Sequence, residues 1–192
     1  MSQTAADLPT LSNLRPTRFR EPPSPDVVGQ TTKIVKIKQP WANALVTGKK
    51  DVENRKWLLT PQCGPETPIW FVVASSRSKP TKVLMDDYKS RLDLQYPHGR
   101  PYVDERPDDF IIGKIIGVVK LRGCYTSWQS VWYNPGDLAW VVEEAWEFED
   151  PIDLHPGDGM QTQGSLGDGT RAQFGYVEKV REEIAKLVPG QF

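Results

Sequence analysis

No other stretch of the chain constrains its fold as strongly as Phe110 to Leu121. It is apolar through most of its length and is interrupted at Gly113 and Gly117. Apolar runs of this kind predict a buried strand, and glycines within one predict a bulge or the tight curvature of a barrel wall. Ile69 to Ala74 is a second continuous apolar run and predicts another buried strand. Lys33 to Lys38, with Ile34, Val35 and Ile37, predicts a third strand with alternation. Leu138 to Phe148, carrying Trp140 and Trp146, predicts a fourth. Asp51 to Trp57 reads as extended.

Helices are predicted between these strands. Pro40 suits a first helical turn, Trp41, Ala44 and Leu45 share a stripe, and Gly48 can end the helix in the left-handed conformation. Thr81 to Leu94 predicts a second helix, with Val83, Leu84, Tyr88 and Leu92 apolar. A third is predicted at the C-terminus, where Tyr176, Val177, Val180, Ile184, Leu187 and Val188 mark one face. Gln95 to Asp109 and Pro151 to Gly169 read as loops, and a tryptophan-rich connection holds Trp128 and Trp132. Few regular βαβ units appear in this order. The expected class is α+β, a small and mostly antiparallel β-barrel with flanking helices.

Residues 1–32 carry Pro9, Pro16, Pro22, Pro23 and Pro25 among small polar residues, without apolar periodicity. Such composition predicts a disordered N-terminal tail, able to serve as a protein-binding segment, with the folded domain spanning 33–192. Formal net charge is -1, so no overall field draws the chain to nucleic acid or membrane. No apolar run approaches membrane-spanning length, and the N-terminus lacks an apolar signal core. A cytoplasmic or nuclear protein is expected. Cys63 and Cys124 stand far apart without CxxC spacing, which predicts two reduced, partly buried thiols. His98 and His155 sit in no metal-ligand spacing, so neither a metal nor a cofactor is expected.

The segment Gln39 to Trp57 concentrates the features that can carry chemistry. A short capped helix, a turn and a charged strand follow one another. Glu53 and Arg55 are two apart and face the same side of the strand, while Val52 and Asn54 face the other. Lys50, at the turn, can lean over the same space. The pattern Gly-x-Lys-x-x-Glu-x-Arg at Gly48, Lys50, Glu53 and Arg55 resembles the ASCH domain family, of the PUA-like superfold. Gln39-Pro40-Trp41-Ala42 before it, Trp57 after it, Ile112 to Val119, and Pro151-Ile152 with Gly157 strengthen the resemblance. It is nearest to the branch at the C-terminus of the eukaryotic transcriptional cointegrator and runs from about residue 33 onward.

That resemblance implies a small PUA-like β-barrel, a cleft between barrel and helices, and a role with nucleic acid or nucleotides, mostly RNA. One branch resembling this motif hydrolyses N4-acetylcytidine with a Lys and a nearby Thr. The matching Thr position here is Glu53, and a carboxylate is no comparable acyl-transfer nucleophile. Other members cleave RNA.

Lys33, Lys36, Lys38, Lys49, Lys50, Arg55 and Lys56 lie between residues 33 and 57, against Asp51 and Glu53 alone. Arg77, Lys79 and Lys82 add a second basic stretch, whereas Asp137 to Asp168 holds no Lys or Arg. The leading expectation is a basic cleft that binds nucleic acid, RNA before DNA, through Trp41, Lys50, Glu53, Arg55 and Trp57. Lys50 and Arg55 would meet phosphate or a base edge, Glu53 would orient Arg55, and Trp41 or Trp57 would stack. One alternative is an enzyme acting on RNA or a modified nucleotide, ribonuclease or amidohydrolase-like, with Lys50 and Glu53 as its acid–base pair. Another is a protein-interaction module of the transcription-coactivator type. Structural readings also stand open: Lys36 and Lys38 as the solvated side of a strand, Trp41, Trp70 and Trp140 as core, and Glu53–Arg55 as an ion pair closing the barrel end.

Overall fold

A computed structural model of the protein describes residues 21–99, 104–158 and 162–187. In chain order the elements are β1 (Lys33–Ile37), α1 (Trp41–Val46), β2 (Val52–Arg55), β3 (Ile69–Ser75), α2 (Lys82–Gln95), β4 (Lys114–Tyr125), β5 (Leu138–Asp153), β6 (Gln163–Ser165) and α3 (Tyr176–Lys186). The strands form one mixed sheet in the order β2-β5-β4-β3-β1-β6. β1 and β3 run parallel, and every other pair is antiparallel. The sheet curls into a half-barrel flanked by helices, which is the expected α+β class.

Curvature comes from the long central pair. The register of β4 on β5 slips between Ile115 and Gly117, between Lys120 and Leu121, and between Leu121 and Gly123. Each slip adds twist and bends the strands. Gly117 lies where α1 crosses the sheet. A Cβ there would run into the Trp146 carbonyl and lie 2.8 Å from Val46 Cγ1, so only glycine lets α1 seat this closely. Pro151 continues β5 because it falls in the stretch where pairing jumps from Gly117–Glu147 to Ile115–Ile152.

Alternation sends the strands' side chains to two cores. Ile34, Val72 and Val118 face outward and are covered by Val177, Val180 and Ile184 of α3. Val35, Val73 and Val119 face inward and meet Leu45 and Val46 of α1. A third cluster joins Ala44 and Val52 to Met85, Tyr88 and Leu92 of α2 and to Trp132. Trp140 is fully buried, whereas Trp41 and Trp70 are half-buried. Val83, one of the apolar residues of α2, is exposed, because the buried stripe follows Met85, Tyr88 and Leu92.

The structure extends the packed region into the segment assigned to the tail. Pro25–Val27 form a 3-10 turn, Val28 is fully buried against α3, and Arg181 Nε donates to the Val28 carbonyl at 2.9 Å. An isolated apolar residue lacks the periodicity that would mark it in sequence. Residues 1–20 lie outside the described residues. Deleting residues 1–32 is therefore expected to destabilise the domain by about 1.5–3 kcal/mol, the worth of one buried aliphatic side chain. Thermal denaturation against the full chain checks this; coincident melts would remove Val28 from the core's energetics.

The cysteine expectation is corrected. Cys63 and Cys124 form a disulfide, with Cα atoms 5.6 Å apart. Their spacing of 61 residues hides the pairing, because only the curled sheet brings the loop after β2 onto the end of β4. A Cβ at Gly123 would lie 2.9 Å from Glu66 N, so this glycine admits the crossing loop. Among the described residues no helix is long and apolar enough to cross a membrane.

Candidate functional site

Gln39 begins the local architecture. Its Oε1 accepts from Asn43 N at 3.0 Å, capping the start of α1, and its Nε2 donates to the Ile111 carbonyl at 2.7 Å. Gly48, with φ +70°, follows the C-cap Thr47 and reverses the chain. Lys50 N then donates to the Ala44 carbonyl at 2.8 Å, which fixes the turn. β2 pairs with β5 from Val52 opposite Val141 to Arg55 opposite Leu138. Alternation along β2 turns Val52 and Asn54 one way and Glu53 and Arg55 the other. Asn54 Nδ2 donates to the Trp132 carbonyl at 2.8 Å, and Val52 enters the α2 core.

Glu53 joins the two cations. Its Oε2 lies 2.6 Å from Lys50 Nζ, and its Oε1 lies 3.0 Å from Arg55 Nη2. All three side chains are largely buried, at 4%, 8% and 13% exposure for Lys50, Glu53 and Arg55. Arg55 Nη2 also approaches the Lys36 carbonyl at 3.5 Å. The guanidinium lies over Trp57 at 5.2 Å and over Trp140 at 5.9 Å. Trp57 Nε1 donates to Gln163 Oε1 at 3.1 Å. These contacts cross the seam between β2 and the β1–β6 edge, where among the described residues no strand pairing closes the barrel.

Burial holds the Lys50 amine below the usual lysine range, and Arg55 pushes the same way, while Glu53 opposes the shift. Arg55 Nε is buried without a hydrogen-bond partner. A buried polar group in that state has lost water and gained nothing in return.

The cationic density read along the chain is mostly neutralised in the fold. Lys49 pairs with Glu105 at 2.8 Å, and Glu105 also accepts from Tyr88 OH at 2.7 Å. Lys56 pairs with Asp137, Lys79 with Asp108, and Lys82 with Asp86. Lys33 donates to Ser165 at 3.0 Å. Lys38 remains exposed at the end of β1.

The ASCH domain matches residues 35–154. The chain belongs to the ASCH family. The matched span runs from β1 to the residue after β5, so β6 and α3 lie beyond it. Activating signal cointegrator 1 from Homo sapiens is 33% identical over 93 residues, covering 48% of this chain and 14% of that protein. Its Mus musculus counterpart is 35% identical over 91 residues, covering 47% and 14%. The chain thus spans only a small part of these curated relatives' length. Among solved structures, ASCH from Zymomonas mobilis is 14% identical, with a TM-score of 0.40, covering 76% of this chain and 93% of that one. A point mutant of the same protein gives 14% and 0.41, covering 79% and 98%.

Of the residues singled out in this ASCH sequence, Lys50, Glu53, Arg55 and Trp57 come together. Trp41 is placed in an aromatic cluster, with Tyr88 at 5.9 Å and Trp132 at 6.1 Å, both edge-on. Sequence reasoning missed Trp140 beneath Arg55, the Lys36 carbonyl and Gln163 as parts of this site. Trp140 follows from the β2–β5 pairing, which sets it opposite Glu53. Gln163 carries no local signal at all.

Proposed function

We propose that this ASCH protein binds nucleic acid, RNA in preference to DNA, at the half-barrel seam formed by Lys50, Glu53, Arg55 and Trp57. The unpartnered Arg55 Nε carries the reading. A guanidinium already oriented by Glu53 and backed by two indoles has a donor left over for a ligand acceptor. Because that donor is buried, a ligand reaches it by parting the Trp57–Gln163 contact. Trp57, once displaced, offers a face on which a base stacks. The same geometry serves a modified nucleotide as well as an RNA chain. The name of the mammalian relatives, a cointegrator, is compatible with such a module working in the nucleus or cytoplasm alongside protein partners.

Labelled single-stranded RNA, duplex RNA and single-stranded DNA should be titrated from low to near-physiological salt. The expected result is RNA binding tighter than DNA, since 2′-hydroxyls add contacts. Affinity should fall with salt by about 0.7 in the log–log slope per phosphate engaged, with a salt-resistant remainder from stacking. Absence of binding to all three at low salt would overturn the reading. A second reading is hydrolytic and rests on the 2.6 Å contact between Lys50 and Glu53, an amine with lowered pKa beside a carboxylate. Shortened RNA after incubation, lost in Lys50→Ala, would favour it.

A further inference from the structure

We propose that Arg77 and the groove beside it form a second nucleotide-binding site, taking a phosphate on the guanidinium and a base in the groove. It rests on the nucleic-acid reading above but uses a different end of the fold. Ile37 of β1, Ser75 of β3, Lys114 of β4 and Asp153 of β5 form one row across the sheet, and Arg77 leaves β3 just beyond it. The Arg77 side chain lies over Gly113, where an added Cβ would stand 3.2 Å from its Cγ. Its Nη2 donates to the His155 carbonyl at 2.8 Å and to the Leu154 carbonyl at 3.4 Å.

The rest of the second basic stretch is accounted for by acids, Lys79 by Asp108 and Lys82 by Asp86. Arg77 pairs with no carboxylate among the described residues. Its guanidinium is anchored through one nitrogen to carbonyls, which carry no net charge to neutralise it. Arg77 is exposed, so the remaining N–H groups of its fork are donors that a ligand acceptor can meet.

The groove adjoins this anchor directly, because Leu154 and His155 belong to both. It is an open groove of about 600 Å³ whose lining includes Asp153, Leu154, His155, Phe174, Tyr176 and Lys179. That volume lies within the range of small-ligand sites, roughly 300–1,000 Å³. The aromatic wall is fixed in place. The His155 ring stacks on Phe174 at 4.1 Å with 16° between planes, and Phe174 lies 5.6 Å from Tyr176. Tyr176 OH accepts from His155 N at 2.8 Å. His155 Nδ1 accepts from Gly157 N at 3.0 Å, which leaves its proton on Nε2 as a donor. Lys179, exposed on α3, supplies a second cation without an ion pair among the described residues. Asp153, the carboxylate at the rim, is held by Lys114 at 3.1 Å. An anchored guanidinium, a free ammonium and a rigid aromatic wall together match a phosphate joined to a planar base.

The test uses the full chain, labelled single-stranded RNA and salt titrations. Wild type, Arg77→Ala, Lys179→Glu and Lys50→Ala should be compared. Arg77→Ala is expected to weaken binding roughly tenfold at low salt and to flatten the log–log slope by about 0.7, one phosphate contact. Lys179→Glu should act in the same direction; its exposed, unpaired position leaves the fold intact, so it reports even if Arg77→Ala destabilises the barrel end. The effects of Arg77→Ala and Lys50→Ala should add, as for separate sites. Adenosine monophosphate, titrated while amide resonances are followed, should move His155 and Phe174 if a free nucleotide suffices; movement with RNA alone would assign the site to the polymer. Wild-type RNA binding with unchanged affinity and slope in both Arg77→Ala and Lys179→Glu would overturn the second site and leave the seam standing. Loss of binding in Lys50→Ala alone would do the same. A wild type that binds no RNA would remove the seam reading itself.

Discussion

Glu53→Gln should unfold this domain far more readily than Lys50→Met. Among the described residues Glu53 is the carboxylate that contacts both buried cations, Lys50 at 2.6 Å and Arg55 at 3.0 Å. Its amide replacement keeps the shape and removes the countercharge. Breaking a buried pair from one side typically costs about 3–5 kcal/mol, because a charge is left in a poor solvent. For a chain of this size each kcal/mol is worth roughly 2–4 °C of melting temperature, so a fall of about 6 °C or more is expected. Lys50→Met leaves Glu53 paired with Arg55, and the double variant should recover part of the loss.

The pH dependence has a definite sign. Burial lowers the Lys50 pKa in the folded protein, so between the folded and unfolded values the unfolded chain binds more protons and stability rises with pH. Removing Glu53 takes away the group that opposes the lowering, which widens this window toward neutrality. The deficit of Glu53→Gln should therefore shrink between about pH 7 and about pH 10. Denaturant unfolding at both ends measures it. A variant as stable as wild type at neutral pH, yet defective in RNA binding, would show that Glu53 serves the ligand and not the barrel.

The grouping of Lys50, Glu53 and Arg55 was legible because each step is local. A glycine turn and a period of two are properties of a short stretch of chain. Their burial was not legible, since it comes from β5 on one side and the seam with β1 on the other. The same division runs through the fold. α3 announces itself by an apolar stripe, and β3 by a continuous apolar run. β6 has neither; Gln163–Ser165 is extended because β1 pairs with it, Ile34 opposite Gly164. Phe110 reads as the start of a strand, but it precedes β4 and packs edge-on against Tyr88 at 6.2 Å. An apolar residue beside a strand signals burial, and only the tertiary neighbour decides whether that burial is in the sheet. Charge behaved likewise. Composition located the cations, but their partners, Glu105, Asp137 and Asp108, lie 29 to 81 residues away by subtraction of their numbers. That Arg77 is held by the Leu154 and His155 carbonyls and by no carboxylate among the described residues emerged only once the pairings of its neighbours were known.

Reduction of Cys63–Cys124 should lower the melting temperature by roughly 10 °C. The bond closes a loop across 61 residues of separation. Chain-entropy arguments put such a closure at about 4 kcal/mol, and removal of native disulfides in small domains at about 2–5 kcal/mol; the conversion to temperature is about 2–4 °C per kcal/mol. The bond staples the loop between β2 and β3 over the end of β4. Other contacts hold the same crossing. Cys124 N donates to the Gly64 carbonyl at 3.1 Å, Arg122 Nε to Glu66 Oε1 at 2.9 Å, and Tyr125 OH to Glu66 at 2.8 Å. They fix the loop locally without restricting the unfolded chain, so they do not substitute for the covalent closure. The same loop carries Trp57, whose carbonyl accepts from Trp140 Nε1 at 3.0 Å and whose ring covers Arg55. Loosening it should expose that indole, with faster quenching of tryptophan fluorescence in the reduced protein. Melts with and without dithiothreitol, beside a Cys63→Ser/Cys124→Ser variant, measure the stability change, and thiol titration confirms the redox state. Two reactive thiols already present before reductant, or a melt that does not move as they appear, would show that the barrel stands without this bond.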